Sequence, residues 1–200
     1  MKEADEYQQI SSTLYVWQAY EPSVKADLSS CAVVLRSGLV FVDPIPLGKH
    51  ALSELIQLGT PCAIVLTNGN HVRATRAFTE QFDIPVYAHG DAKADFPADC
   101  WAEEGELFES IRVVTLPGFG PGEIALHLTE GEGSVLMGDA LINFGTYEFA
   151  LLPDKYCADP KLGRESLKKL LPLSFETMTF AHGMPILTGA KTRLKKLLGC

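Results

Sequence analysis

Cys62-Ala63-Ile64-Val65-Leu66-Thr67-Asn68-Gly69-Asn70-His71-Val72-Arg73-Ala74-Thr75-Arg76-Ala77-Phe78 is the stretch whose reading decides the fold. Its first five residues form a short apolar run bounded by turn formers, the pattern of a buried strand. Thr67 to Asn70 then break the run, and the apolar positions Val72, Ala74, Ala77, Phe78 and Phe82 fit one face of a helix beginning at His71, with Asn70 as its N-cap. A strand that ends in a tight turn beside a helix start brings side chains and free backbone N–H groups to one spot, which suits a ligand site.

Outward from this stretch, Thr13–Trp17, Cys31–Leu35 and Leu39–Val42 read as strands, the last two joined through Arg36-Ser37-Gly38. A helix carrying Ala51, Leu52, Leu55, Ile56 and Leu58 follows. After Phe82 come a strand over Pro85–Ala88, a helical turn over His89–Ala94, a loop over Trp101–Glu106, and paired strands at Leu107–Phe108 and Ile111–Leu116. Gly118, Gly120, Pro121 and Gly122 break the chain, and a second hairpin, Ile124–Leu128 with Val135–Met137, ends in Gly138-Asp139. Both hairpins deliver an aspartate at the end of their second strand, Asp43 in one and Asp139 in the other, which hints at internal duplication. Asp159 and Pro160 open a helix, Thr177–Phe180 is a last strand, and Thr188 caps a basic amphipathic helix. The pattern predicts one domain over residues 1–200, with two mixed sheets face to face and helices outside.

Composition limits the function. The 200 residues are 46% hydrophobic and 21% charged, as in ordinary globular proteins, and a formal net charge of -8 disfavours nucleic acid. Apolar runs are far shorter than a membrane helix requires, and the acidic start Met1–Glu6 lacks a signal-peptide core, so a cytoplasmic protein without membrane contact is expected. The five cysteines show neither Cys-x-x-Cys pairs nor zinc-site spacing. They are read as reduced, with Cys31 and Cys62 buried and Cys200 an exposed tail thiol.

The polar residues at strand ends are Asp43, Asn68, Asn70, His71, Arg73, Asp139 and His182. Their order, within Val42-Asp43, Thr67–Arg73, Leu116–Gly122, Gly138-Asp139 and Ala181-His182-Gly183, resembles the metallo-β-lactamase fold superfamily over nearly the whole chain. The resemblance implies a four-layer αββα sandwich. It also implies a loop reading T-H-x-H-x-D-H that supplies ligands to two metal ions, zinc or iron. Aligned on Thr67, that loop has Asn68 and Asn70 where the first two histidines belong, Val72 for the aspartate and Arg73 for the last histidine; His71 falls on a variable position. Phe119 stands where a further histidine is expected. Asp139, the metal-bridging aspartate, His182, a ligand of the second metal, and Asp43, a supporting aspartate, match.

Neutral amides are poor ligands for zinc, and arginine is a permanent cation. The resulting expectation is that Arg73 takes the metal's place and pairs with Asp139, with His182 close by. His71 is read as an exposed first-turn imidazole, and His50, His89 and His127 as structural or exposed. No cofactor is predicted. The function expected is a catalytically silent or repurposed protein binding a small anionic ligand, or a partner, in the old cleft through Asn68, Asn70, His71, Arg73, Phe119, Asp139 and His182. The alternative is a hydrolase with a metal-free or one-metal site of zinc, iron or manganese, built from Asp139, His182 and His71. A third reading is a homo-oligomeric interaction module with a vestigial cleft.

Overall fold

The computed structural model describes residues 1–92, 97–144 and 148–200. Its first sheet runs in chain order through seven strands: β1 (Gln8–Gln9), β2 (Leu14–Glu21), β3 (Ala26–Leu35), β4 (Gly38–Val42), β5 (Pro61–Val65), β6 (Val86–Ala88) and β7 (Cys100–Trp101). Neighbours are antiparallel up to β4 and parallel from β4 to β7. Parallel neighbours need crossovers. Two of these carry the helices α1 (Lys49–Leu55) and α2 (Thr75–Phe82).

The second sheet has the order β14-β11-β10-β9-β8, formed by β8 (Gly105–Phe108), β9 (Ile111–Thr115), β10 (Ile124–Leu128), β11 (Ser134–Met137) and β14 (Thr177–Phe180). A separate hairpin, β12 (Leu141–Phe144) with β13 (Glu148–Leu151), follows Asp139. Helices α3 (Pro160–Leu167) and α4 (Ala190–Leu198) belong to this half. Asp159 caps α3, its carboxylate accepting from the N–H groups of Lys161 and Leu162 at 3.0 Å each.

Side-chain alternation builds the layers. Val40, Val42, Ala63 and Val65 meet Ile111, Val113, Ile124, Leu126 and Leu136 between the sheets. Leu39, Phe41, Ile64 and Leu66, one residue out of phase, pack instead under α1 and α2 with Ala51, Leu55 and Phe78. On the far side, Val114, Ala125, Val135 and Met137 are covered by Leu167, Ala190 and Leu194. Strands buried on both faces explain why the runs at 39–42 and 62–66 are apolar throughout rather than alternating. The αββα order read from the sequence is therefore the observed one, and no helix among the described residues is long and apolar enough to cross a membrane.

Several local readings differ. α2 begins at Thr75 rather than His71, and neither Asn70 nor any other side chain caps it. Arg73 adopts φ +43°, a left-handed conformation that cannot continue into a helix. α4 is preceded by Gly189, not capped by Thr188. The expected loop over Trp101–Glu106 contains the end of β7 and the start of β8. Residues His89 to Ala92 close a turn, Ala92 N–H donating to the His89 carbonyl at 2.8 Å, while the rest of the helical turn expected there lies outside the described residues. Cys31 is buried, whereas Cys62 is only half-buried.

One glycine shows how tightly the loop at 117–122 is held. Gly118 sits at φ +105°, and a Cβ there would lie 2.2 Å from the Gly163 nitrogen and 2.6 Å from the Asp159 carbonyl oxygen. Backbone atoms of α3 cannot move aside cheaply. Gly118→Ala should therefore lower unfolding free energy by about 3 kcal/mol in urea titrations, against about 1 kcal/mol for Gly131→Ala, whose Cβ would meet nothing within 4 Å.

Candidate functional site

The stretch after β5 is folded by its own polar groups. Asp43, held at φ +48° just past β4, receives the Thr67 N–H at 2.8 Å on Oδ1 and the Thr67 hydroxyl on Oδ2. The Asn68 side-chain oxygen accepts the Asn70 N–H at 2.8 Å, and His71 N–H donates to the Asn68 carbonyl at 3.2 Å. These bonds turn the chain so that His71, 3% exposed, points inward rather than to solvent. That reverses the exposed imidazole expected from the sequence.

The two hairpin aspartates meet on His71. Its Nδ1 lies 2.8 Å from Asp43 Oδ2 and its Nε2 3.1 Å from Asp139 Oδ1. Thr67 gives its own hydroxyl proton to Asp43, so both imidazole nitrogens face carboxylates and both are donors, the arrangement of an imidazolium. Burial, and after it the neighbouring Arg73, oppose that charge, but the carboxylates of Asp43 and Asp139 outweigh them and raise His71 to about 9. Burial works against both aspartates as well. His71 more than compensates, holding Asp43 below and Asp139 well below the usual carboxylate range.

Asp139 collects further donors. His182 Nε2 reaches the same Oδ1 at 3.1 Å, and the Asn68 amide donates to Oδ2 at 3.2 Å. The Asn68 amide also donates to Glu123 Oε2 at 2.8 Å, while Glu123 Oε1 accepts the Ala140 N–H at 2.8 Å. Glu123 is 3% exposed, and burial, with Asp139 nearby, pushes its carboxyl up to about 8. Glu123 is a site residue that the sequence pattern did not single out. Its signal was faint: an acid directly before an apolar strand, facing Gly138, where a Cβ would come within 2.6 Å of the Glu123 carboxyl.

Arg73 does not pair with Asp139, contrary to expectation. Its Nη1 donates to the carbonyls of Ser29 at 2.6 Å and Asp43 at 3.2 Å, and its Nη2 to that of Ala181 at 3.2 Å. The guanidinium thus ties β3, the end of β4 and the end of β14 together. A planar fork suits three carbonyls that an ammonium could not span. Two of its five N–H groups, on Nε and Nη2, have no partner among the described residues.

A cleft of about 480 Å³ opens above this network, lined in part by Asn70, His71, Arg73, Asp139 and His182. Phe119 does not line it. It is 3% exposed, packs in the core beneath α3 against Gly163, and borders a second cleft with His89 and Glu123. Asn68 is fully buried and reaches the cleft only through Asp139. His127 is structural, its Nε2 2.8 Å from the Ser174 carbonyl.

The donor set decides what metal could be held. Asn68, Asn70 and Phe119 offer no first site. His71, Asp139 and His182 do bring one ligand atom each to within 4.8 Å of one another, enough for one ion, with Asp43 behind His71 as such histidines require. In the metal-free network His71 must give up its Nε2 proton first. From about 9 down to pH 7 that costs about 3 kcal/mol of the ion's binding energy.

The geometry sets two expectations for stability. His71, raised from its unfolded value near 6.5, contributes fully below that pH and loses its contribution as pH climbs through about 9. Chemical denaturation should therefore show stability falling between pH 6.5 and 9.5, the raised Glu123 carboxyl adding to the fall up to about pH 8, and His71→Asn should remove the His71 share of up to about 3 kcal/mol. Arg73→Met leaves three buried carbonyls without their donor and takes away the cation nearest Asp43 after His71, and should cost about 3 to 5 kcal/mol in the same assay.

Comparison with known proteins agrees with this architecture. The family model described as metallo-beta-lactamase superfamily matches residues 9–200. Among solved structures, DIM-1 metallo-beta-lactamase exposed to ceftazidime is 13% identical, with 99% of each chain covered and a TM-score of 0.75. The metallo-beta-lactamase from Pontibacter korlensis is 14% identical over 97% of this chain and 98% of its own, with a TM-score of 0.75. A metallo-beta-lactamase family protein from Thermus thermophilus is 19% identical over 96% and 80%, with a TM-score of 0.68. No curated protein sequence matches significantly. Identities this low carry the fold and not the activity. By its sequence pattern, its four layers and the family model that spans it, the chain belongs to the metallo-β-lactamase superfamily.

Proposed function

We propose that this is a repurposed metallo-β-lactamase-fold protein whose cleft binds a small carboxylate ligand and does not house the two-metal centre implied by the family. One observation carries the reading. Both ring nitrogens of His71 face carboxylates, Asp43 at 2.8 Å and Asp139 at 3.1 Å, so a side chain of the protein itself occupies the aspartate that would otherwise bridge metal ions.

With Arg73 beside it, two positive side chains balance two carboxylates. The floor is then neutral without an ion, and every aspartate oxygen has a donor. Such a network is costly to disturb, because each group removed strands its buried partners. The donors left to face a ligand include the pair of N–H groups on Arg73 and the exposed side-chain amide of Asn70. A guanidinium with two donors left matches a carboxylate's two oxygens. The Thr67 hydroxyl beside His71 is fully buried and spends its proton on Asp43, so it is not placed to attack a ligand in the cleft.

The second reading, a hydrolase with one metal ion, rests on the three converging donor atoms of His71, Asp139 and His182. Those residues would hold zinc, iron or manganese, and the ion would supply an activated water. Asp43 would keep the His71 ring oriented for it.

Zinc titration followed by calorimetry, with elemental analysis of protein purified without chelator, separates the readings. The binding reading predicts under about a tenth of an ion per chain and no site tighter than about micromolar at pH 7, given the proton His71 must release. Near-stoichiometric metal that is lost in His71→Ala and His182→Ala would instead establish the one-metal enzyme.

A further inference from the structure

The cleft above His71 has two chemically different sides. The floor is polar, made of Asn70, His71, Arg73, Asp139 and His182, whereas on the other side Met1, Val24 and Leu28 set an apolar strip beside Glu21 and Ser23. Met1 and Val24 are 58% and 56% exposed, large apolar side chains left in water beside a polar floor. Val24 belongs to the tip of the β2–β3 hairpin. Met1 reaches the cleft by a different route.

Residues 1–7 form a strap along the first sheet. Ala4 is its latch, 3% exposed and packed into the core beneath α1. The Ala4 N–H donates to the Pro46 carbonyl at 3.0 Å, and its carbonyl accepts the Gly48 N–H at 2.8 Å. Below the latch, Tyr7 meets Tyr15 edge to face at 5.8 Å. Above it, the Met1 ammonium lies 4.0 Å from the Glu21 carboxylate, which joins the strap to the hairpin and sets Met1 against the cleft. An ordered strap this heavily bonded is a wall rather than a loose end.

We infer that the ligand is amphipathic, a carboxylate bearing an apolar chain. Its charged end takes the two spare N–H groups of Arg73, and its chain lies on the wall of Met1, Val24 and Leu28 that the Ala4-latched strap completes. This inference rests on the carboxylate-binding reading above and deepens it. A cleft of about 480 Å³ is large enough for such a molecule, since small-ligand pockets run from about 300 to 1,000 Å³. The wall selects by length: each methylene removed from water is worth about fourfold in affinity.

Calorimetric titrations of the whole protein with acetate and with octanoate test this. Octanoate should bind at least about tenfold more tightly, the gain from roughly two buried methylenes. Deleting residues 2–6 should shrink the advantage of octanoate over acetate several-fold and leave acetate unchanged. Ala4→Arg, which forces a charge into the latch, should do the same, and the deletion decides if that variant does not fold. Arg73→Lys should weaken both ligands. Equal affinity of the two ligands, or octanoate binding unaffected by the deletion, overturns the amphipathic-ligand inference while leaving the carboxylate site. Binding of neither overturns both.

Discussion

A single imidazole between two aspartates organises the upper edge of this molecule. Asp43 ends β4, Asp139 follows β11, and His71 touches both, so one side chain links the two sheets at the place where their strands stop. Three buried charges in a row are favourable only if each has a partner of opposite sign and its remaining lone pairs are used. Here they are: Thr67 completes Asp43, and Asn68 with His182 completes Asp139. Between the sheets the contact is mainly apolar packing, which tolerates exchange of similar side chains; this edge does not.

The same constraint accounts for the surrounding backbone. Asp43 and Arg73 both take positive φ, conformations that cost energy in non-glycine residues and persist where their surroundings fix them. Arg73 is held by three carbonyls from separate strands, Asp43 by Thr67 and His71. Gly138 leaves room for Glu123 where a side chain would collide with it. Of the four non-glycine residues at positive φ among the described residues, Asp43 and Arg73 belong to this network.

Layer order was readable because hydrophobic patterning reports burial directly. Runs such as Leu39–Val42 and Cys62–Leu66 are apolar at every position since both faces are covered, and the two hairpins announce the aspartates at their ends. His71 was not readable in the same way. Helical periodicity continues back through Val72, and nothing in the side chain of Arg73 reveals that its φ is +43°, so periodicity places the helix four residues early and the imidazole with it in solvent. The resemblance marks Arg73 as a cation near the aspartates, but its hydrogen bonds go to backbone carbonyls, which leave no mark in a sequence. Phe119 stands where the family resemblance placed a metal ligand, yet its ring turns into the core against Gly163. Glu123 went unnoticed because a lone acid at a strand start ordinarily faces water.

Everything at this edge depends on His71 being charged and doubly bonded. Nuclear magnetic resonance of the isotope-labelled imidazole, followed across pH, measures that state directly. Protonation of both ring nitrogens at neutral pH, with titration near 9, is the predicted result. A neutral ring with one tautomer at pH 7, titrating at or below about 6.5, would contradict it.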